Sequence, residues 1–267
     1  MKIAVIGTGY VGLDFTLKIY RQLLETLLKA EYKFFTFEEY CTQEASGKYI
    51  ILRHDVDLKA ENSVETAKIE HELRIKASYF FRIIPQSNQP DKIKAIANLG
   101  HEIGYHYEDL SLFKGDVEEA VQHFEQQLEH FRQFYPVKTI CMHGSPTLKY
   151  DNRKMWETYN YHDYNIIGEP YFDFLNLENV LYFTDTGRCW DGDKYNVRDK
   201  RIGSDELNQP KFHTTAEFIE WIKNSQNQLP IMITTHPQRW TDSKWEWMLE
   251  MVMQNIKNRI KQIFLKK

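Results

Sequence analysis

The chain is short of cysteine. It has three in 267 residues, Cys41, Cys141 and Cys189, far apart and without a C-x-x-C pair, which argues against both a disulfide framework and a cysteine zinc site. A reducing compartment, the cytoplasm, is therefore the expected location. Long apolar runs are also missing, and nothing approaches the roughly 20 residues of a membrane span. The short apolar run at residues 3–13 leads straight into Asp14 without a small-residue cleavage site, so no export signal is expected. Nor is one charge in surplus. Basic residues number 34 against 38 acidic ones, a net charge of −4, which leaves no basic field for nucleic acid. What is present is 42% hydrophobic, 14% aromatic and 27% charged residues, the profile of a soluble globular protein with aromatic side chains to spare for stacking on sugar rings. The length suits one large domain or an α/β barrel, which takes about 200 to 250 residues.

Residues 1–12 match G-x-G-x-x-G after a short apolar strand, and they resemble the start of nucleotide-sugar dehydrogenases of the UDP-glucose type. A dinucleotide-binding unit also needs a helix of small residues and a second strand ending in an acid about 20 residues on. Residues 15–29 instead form a bulky amphipathic pattern, and residues 32–40 contain no such strand. Residues 1–13 are therefore read as an N-terminal extension, and 14–267 as the working domain.

The sequence around Arg53, His54, Asp55, Val56 and Asp57 organises the rest. The four apolar residues at 49–52 suit a strand buried on both faces. Alternation puts Arg53, Asp55 and Asp57 on one side and His54 and Val56 on the other. Two carboxylates that close repel unless one is protonated, paired or bound to metal. Apolar helical and β-branched segments then alternate. Helices are expected at 61–73, 91–99, 116–134, 215–224 and 243–264, and strands at 76–84, 100–108, 137–142, 164–167, 180–184 and 231–235. Such β-α repetition implies a parallel sheet, open or closed into a barrel. Residues with ligand or acid-base chemistry recur where these strands end: Asp55 and Asp57, His106 with Glu108, His143, Asp185 with Arg188, and His236. Loops at the carboxyl ends of barrel strands build active sites, so the pattern points to a metal hydrolase.

At these residues the chain resembles the polysaccharide deacetylases, the carbohydrate esterases built on the NodB-homology domain. Residues 52–57 stand where that family has its Asp-Asp motif, residues 77–81 resemble its next strand, and residues 100–106, ending in His106, are similar to its metal-binding histidine motif. Residues 142–146, 184–190 and 236–240 look like a divergent bacterial branch associated with surface polysaccharide. The resemblance implies a distorted (β/α) barrel of about seven parallel strands, and removal of an acetyl group from an N-acetylated sugar with a divalent metal, most simply zinc. Two departures stand out. Val56 separates the aspartates, and the second family histidine falls at Leu110, which cannot ligate.

Zinc takes three protein ligands plus water. Asp57 and His106 carry over from the motifs, and the third is His143, preferred, or Glu108, which otherwise stands behind the ligands or contacts substrate. Asp55 is the expected general base, kept ionised by Arg53 or Arg188, and His236 the general acid; alternatively His236 is simply fixed in a turn by Pro237 and Trp240. Arg53, Glu108, Asp185, Arg188, Trp190, Arg239 and Trp240 are the candidate sugar contacts, with Tyr107 a further groove residue. The partner is then a carbohydrate or nucleotide-sugar, not nucleic acid or membrane. The competing readings are a non-catalytic carbohydrate-binding protein on the same scaffold and a nucleotide-sugar dehydrogenase fragment. Ile256, Ile260 and Phe264, at helical spacing, are expected to close the barrel.

Overall fold

The computed structural model describes residues 13–42, 45, 47–144, 149–175, 179–192 and 209–265. The glycine fingerprint of residues 1–12 and the end of the 142–146 motif lie outside the described residues.

Among the described residues, seven parallel strands form one curled sheet with helices packed around it, a half-barrel consistent with a distorted (β/α) barrel. In chain order the strands are β1 Lys33–Phe35, β2 Tyr49–Val56, β3 Ser78–Phe81, β4 Glu102–Tyr107, β5 Ile140–Met142, β6 Leu181–Thr184 and β7 Ile231–Thr235. Their spatial order is β5-β4-β3-β2-β7-β6, with β1 beside the first half of β2. Every residue of β2 is buried, as befits the central strand of a sheet covered on both faces. Because each pairing is parallel, all carboxyl ends open on one rim.

The α-helices, in chain order α1 Leu17–Lys29, α2 Phe37–Thr42, α3 Ala60–Glu72, α4 Pro90–Asn98, α5 Asp109–Leu112, α6 Val117–Arg132, α7 Pro170–Asp173, α8 Thr215–Asn224 and α9 Lys244–Leu265, follow from local chemistry. In α1, Leu17–Lys29, Tyr20, Leu23, Leu24 and Leu27 form the buried stripe, and Thr16 caps the start by accepting from the Ile19 amide. Helix α3, Ala60–Glu72, covers β2 and β3; α6, Val117–Arg132, is capped by Asp116; and α8, Thr215–Asn224, begins with a reciprocal Thr214–Glu217 capping box. One glycine matters to the rim. A Cβ at Gly104 would stand 2.4 Å from the Phe80 ring, so only glycine lets β4 and β3 pack tightly two residues before His106.

Two expectations fail. The strand expected at 164–167 is absent: Tyr161–Tyr164 is a 3-10 turn, Asn165 takes a left-handed φ of 57°, and only the bridge Thr139–Gly168 touches the sheet. The last helix, α9 Lys244–Leu265, does not close the barrel with Ile256 and Ile260, which are about half exposed, and the side chain of Phe264 lies outside the described residues. Among the described residues, no helix is long and apolar enough to cross a membrane.

Candidate metal centre

Five strand ends supply the site. Asp57 follows β2, with its amide bonded back to the Asp55 carbonyl at 3.0 Å. His106 lies near the end of β4. His143 follows β5, and its amide donates to the Tyr107 carbonyl at 2.8 Å, which registers it beside His106. His236 follows β7, next to Asp185 at the end of β6, whose amide donates to the Thr234 carbonyl at 3.2 Å.

The three residues expected to ligate come together. Asp57 Oδ1 is 3.1 Å from His143 Nδ1 and 3.7 Å from His106 Nε2, and those two nitrogens are 3.2 Å apart. Asp57, His106 and His143 form a group whose donor atoms all lie within 4.8 Å of one another, a set able to hold a metal ion. His106 is arranged for ligation. Its Nδ1 lies 2.9 Å from the Cys141 carbonyl oxygen, which can only accept, so Nδ1 carries the proton and the Nε2 lone pair faces Asp57. Burial drives the His106 imidazole down to about 4, against the pull of Asp55, so it is neutral near pH 7.

Asp57 is under the opposite pressure. Burial would raise its carboxyl, but His143, His236 and His106 reverse this and hold it well below the usual carboxylate range. Among the described residues its Oδ1 is buried without a hydrogen-bond partner, and Oδ2 receives only Gln238 Nε2 at 3.5 Å. A buried, ionised oxygen that faces two imidazole nitrogens and receives no proton suits a cation. Glu108 instead faces Arg82, in a bidentate pair at 2.9 and 2.8 Å, and lies 3.9 Å from His143 Nε2. Leu110, where the resembled family has its histidine, is core.

Asp55 is buried in a bidentate pair with Arg53, Nε at 2.8 Å and Nη2 at 2.6 Å, and its Oδ2 stands 3.7 Å from His106 Nε2. Burial opposes its ionisation, yet Arg53 and His106 leave the carboxyl lowered. Arg53 has no exposed surface and holds Asp55 and the Tyr171 hydroxyl, so it does not reach outward as a sugar contact.

His236 points Nε2 at Asp57 Oδ2, 3.8 Å away, while its Nδ1 donates to Asp185 Oδ1 at 2.6 Å. Asp185 is wholly buried. It also accepts from the His236 amide at 3.0 Å, from Trp240 Nε1 at 2.9 Å and from Arg239 Nη1. Burial raises its carboxyl, but Arg239 and His236 bring it to about 2. The structure therefore gives Asp185 and Arg239 a different place from the expected sugar contacts: they hold the His236 imidazole.

The expected aromatic groove is also corrected. Trp240 has no exposed surface and packs on Phe15 and Tyr20; Trp190 donates to Thr215 Oγ1 at 3.0 Å; Tyr107 packs against Phe124 and Trp156. All three are wall, not lining: the turns after β6 and β7 fold Trp190 and Trp240 back into the core, and Tyr107, the last residue of β4, points to the face opposite His106. Arg188, with a left-handed φ of 61°, lays its guanidinium over Phe15 and Trp247 and not on Asp55. Burial lowers it to about 10.

Sequence reasoning missed Arg82 as the partner of Glu108, although both lie in the last residues of adjacent expected strands, 76–84 and 100–108. It also missed the buried group His54, Glu70 and His101 behind β2. Among the described residues two further groupings of ligand-type side chains occur, Asp55 with His106 and Cys141, sharing His106, and Cys189 with Asp191 and the exposed His213. Comparison with family models, with curated proteins and with solved structures returned no match.

Proposed function

We propose that this protein is a metal-dependent hydrolase that removes an acetyl group from an N-acetylated sugar of surface polysaccharide or its precursors, with zinc held by Asp57, His106 and His143. The observation that carries the reading is the buried, partnerless Asp57 Oδ1 facing two imidazole nitrogens. The resemblance of residues 52–57 and 100–106 to polysaccharide deacetylases supplies the substrate class. When bound, a divalent cation supplies Lewis-acid chemistry, polarising an acyl oxygen and making water more acidic.

The residues divide the remaining work. Asp55, kept ionised by Arg53, accepts the proton of the attacking water. The same ion pair makes it a weak base, and that suits a water already acidified nearby. An amine leaves poorly as an anion, so a proton must reach its nitrogen as the carbon–nitrogen bond breaks. His236 presents Nε2 to the rim and is fixed through Nδ1 by Asp185, which holds the tautomer and orientation a general acid needs.

Acetate release from N-acetylglucosamine oligomers and UDP-N-acetylglucosamine, with added zinc, cobalt or manganese, tests this reading. Wild type releases acetate, and Asp55→Asn and His236→Ala lose it by about 100-fold or more. Equal release by wild type and Asp55→Asn defeats the assigned base. The engagement of both Asp55 oxygens by Arg53 favours a second reading, a carbohydrate-binding protein that does no chemistry; it binds the same sugars and leaves their acetyl groups intact.

A further inference from the structure

Helix α9 is mounted with its polar side inward. Gln254 and Asn258 are buried beneath it, Gln254 Nε2 donating to Asn258 Oδ1 at 2.7 Å and Asn258 Nδ2 to the Gly187 carbonyl at 2.9 Å. At its start, Trp247 Nε1 donates to the Asp14 carbonyl at 2.5 Å. Its apolar side faces out. Trp245, Met248, Leu249, Val252, Met253, Ile256 and Ile260 are each between 44% and 69% exposed, and their spacing of three and four residues puts them on one face. The stripe runs from Trp245 to Ile260, roughly 23 Å along the helix axis, and a continuous apolar stripe of that length is an interaction surface.

The charges beside the stripe say what covers it. After the exposed Lys244 that opens the helix, Glu246 and Glu250 lie in the first half, and the exposed Lys257 and Arg259 in the second. A second copy of the helix, laid antiparallel about a two-fold axis near Val252 and Met253, brings Trp245 to the partner's Ile260 and Leu249 to the partner's Ile256. Val252 then meets the partner's Met253. The same axis brings the partner's Lys257, on the same flank of the stripe, level with the turn between Glu246 and Glu250. One patch is thus its own complement in both shape and sign, as an isologous interface requires. An anionic lipid surface would attract the second half and repel the first, and a parallel pair would place like charges together.

We infer that the exposed face of α9 is the interface of an antiparallel homodimer. This does not depend on the hydrolase reading. Sedimentation and light scattering of the full chain at micromolar concentration give the mass of two chains. Val252→Glu with Ile256→Glu gives one chain, with the circular dichroism of wild type. Glu246→Lys with Glu250→Lys weakens association on the order of tenfold, since four ion pairs become four repulsions. Adding Lys257→Glu restores it, a rescue that a merely sticky helix would not show.

A monomeric wild type overturns the inference, and so does a dimer indifferent to the Val252/Ile256 pair or a charge reversal without rescue. A monomer that sediments with phosphatidylcholine–phosphatidylserine vesicles assigns the face to membrane instead. A monomer that dimerises only after deletion of residues 1–12 assigns it to the chain's own N-terminal segment.

Discussion

The two sides of β2 carry the same kinds of residue and do opposite things with them. Behind the strand, Glu70 is wholly buried, and both of its oxygens have donors. Oε1 receives the Tyr20 hydroxyl at 2.5 Å and lies 2.8 Å from His54 Nε2, and Oε2 receives the Tyr79 hydroxyl at 2.8 Å. His54 Nδ1 then meets Thr235 Oγ1 at 2.7 Å, and Thr66 Oγ1 meets the Tyr79 hydroxyl at 3.0 Å. Every polar atom of that cluster is answered by another. On the rim side, Asp57 sits among His106, His143 and His236, yet its Oδ1 finds no donor among the described residues. A saturated polar cluster fixes how elements pack, whereas an unsaturated one is held open for something else. Composition does not separate the two, but the hydrogen-bond account does.

The largest effect expected from this contrast is on the saturated side. Glu70→Ala strands His54, Tyr20 and Tyr79 in a dry interior and should cost about 3–5 kcal/mol, read from urea unfolding midpoints. A loss below about 1 kcal/mol would erase the distinction between the two sides. Titration sharpens it. The His106 imidazole is depressed from 6.5 to about 4 by burial, so between those values the unfolded chain takes up a proton that the folded chain refuses. Stability contributed by His106 is therefore complete above 6.5 and is lost as pH falls toward 4, on the order of 3 kcal/mol in all. Glu70 is lowered below its ordinary 4.5, burial opposing and His54 prevailing, so its contribution holds above 4.5 and is lost only as pH falls through the lowered value. His101, also depressed by burial, shares the upper window. The test is thus the difference between wild type and His106→Gln: the variant should show a flatter decline from pH 6.5 to 4 and an unchanged one below. A smaller effect is expected in the wall. Trp190→Phe loses the bond to Thr215 and should cost about 1 kcal/mol without changing sugar binding, and weakened binding would return Trp190 to the groove.

The β-α alternation was legible because buried parallel strands read as short apolar runs between amphipathic helices; α8 begins and ends at the residues its periodicity predicts. The rim was legible because parallel strands put every carboxyl end on one side, so His106 and His143 needed only neighbouring strands to meet. The failures share one cause, which is that periodicity finds a face without saying what it faces. Trp190 and Trp240 follow strand ends and could turn either way, and packing on Phe218 and on Phe15 and Tyr20 turned them inward. The stripe of α9 is plain in the sequence, but whether it meets the barrel or the solvent is settled by Gln254 and Asn258 on the opposite side. Glu70 sits in α3 among apolar residues that read as the packing stripe, so no local pattern marks it as the carboxylate behind β2. The 164–167 strand failed because three apolar or aromatic residues there pack as a turn held by the left-handed Asn165.

The most discriminating case is the one with the smallest expected effect on folding. Asp57→Asn keeps the side chain's shape and removes its charge. The wild-type carboxylate draws on the surrounding histidines, but it also pays desolvation and lies close to a second carboxylate at Asp55. The amide escapes both costs and can donate to the His106 Nε2 lone pair. These changes oppose one another, so the unfolding free energy should move by no more than about 1 kcal/mol either way, a fraction of the Glu70→Ala loss. Ligand linkage should respond differently. An ion that binds the folded chain alone raises its melting temperature, and with the charged oxygen gone from between two imidazoles the zinc-induced rise should disappear while the metal-free melting temperature stays near wild type. If Asp57→Asn instead unfolds the protein as Glu70→Ala does, the carboxylate is a structural ion-pair member like its counterpart behind the strand, and the two sides of β2 are alike after all.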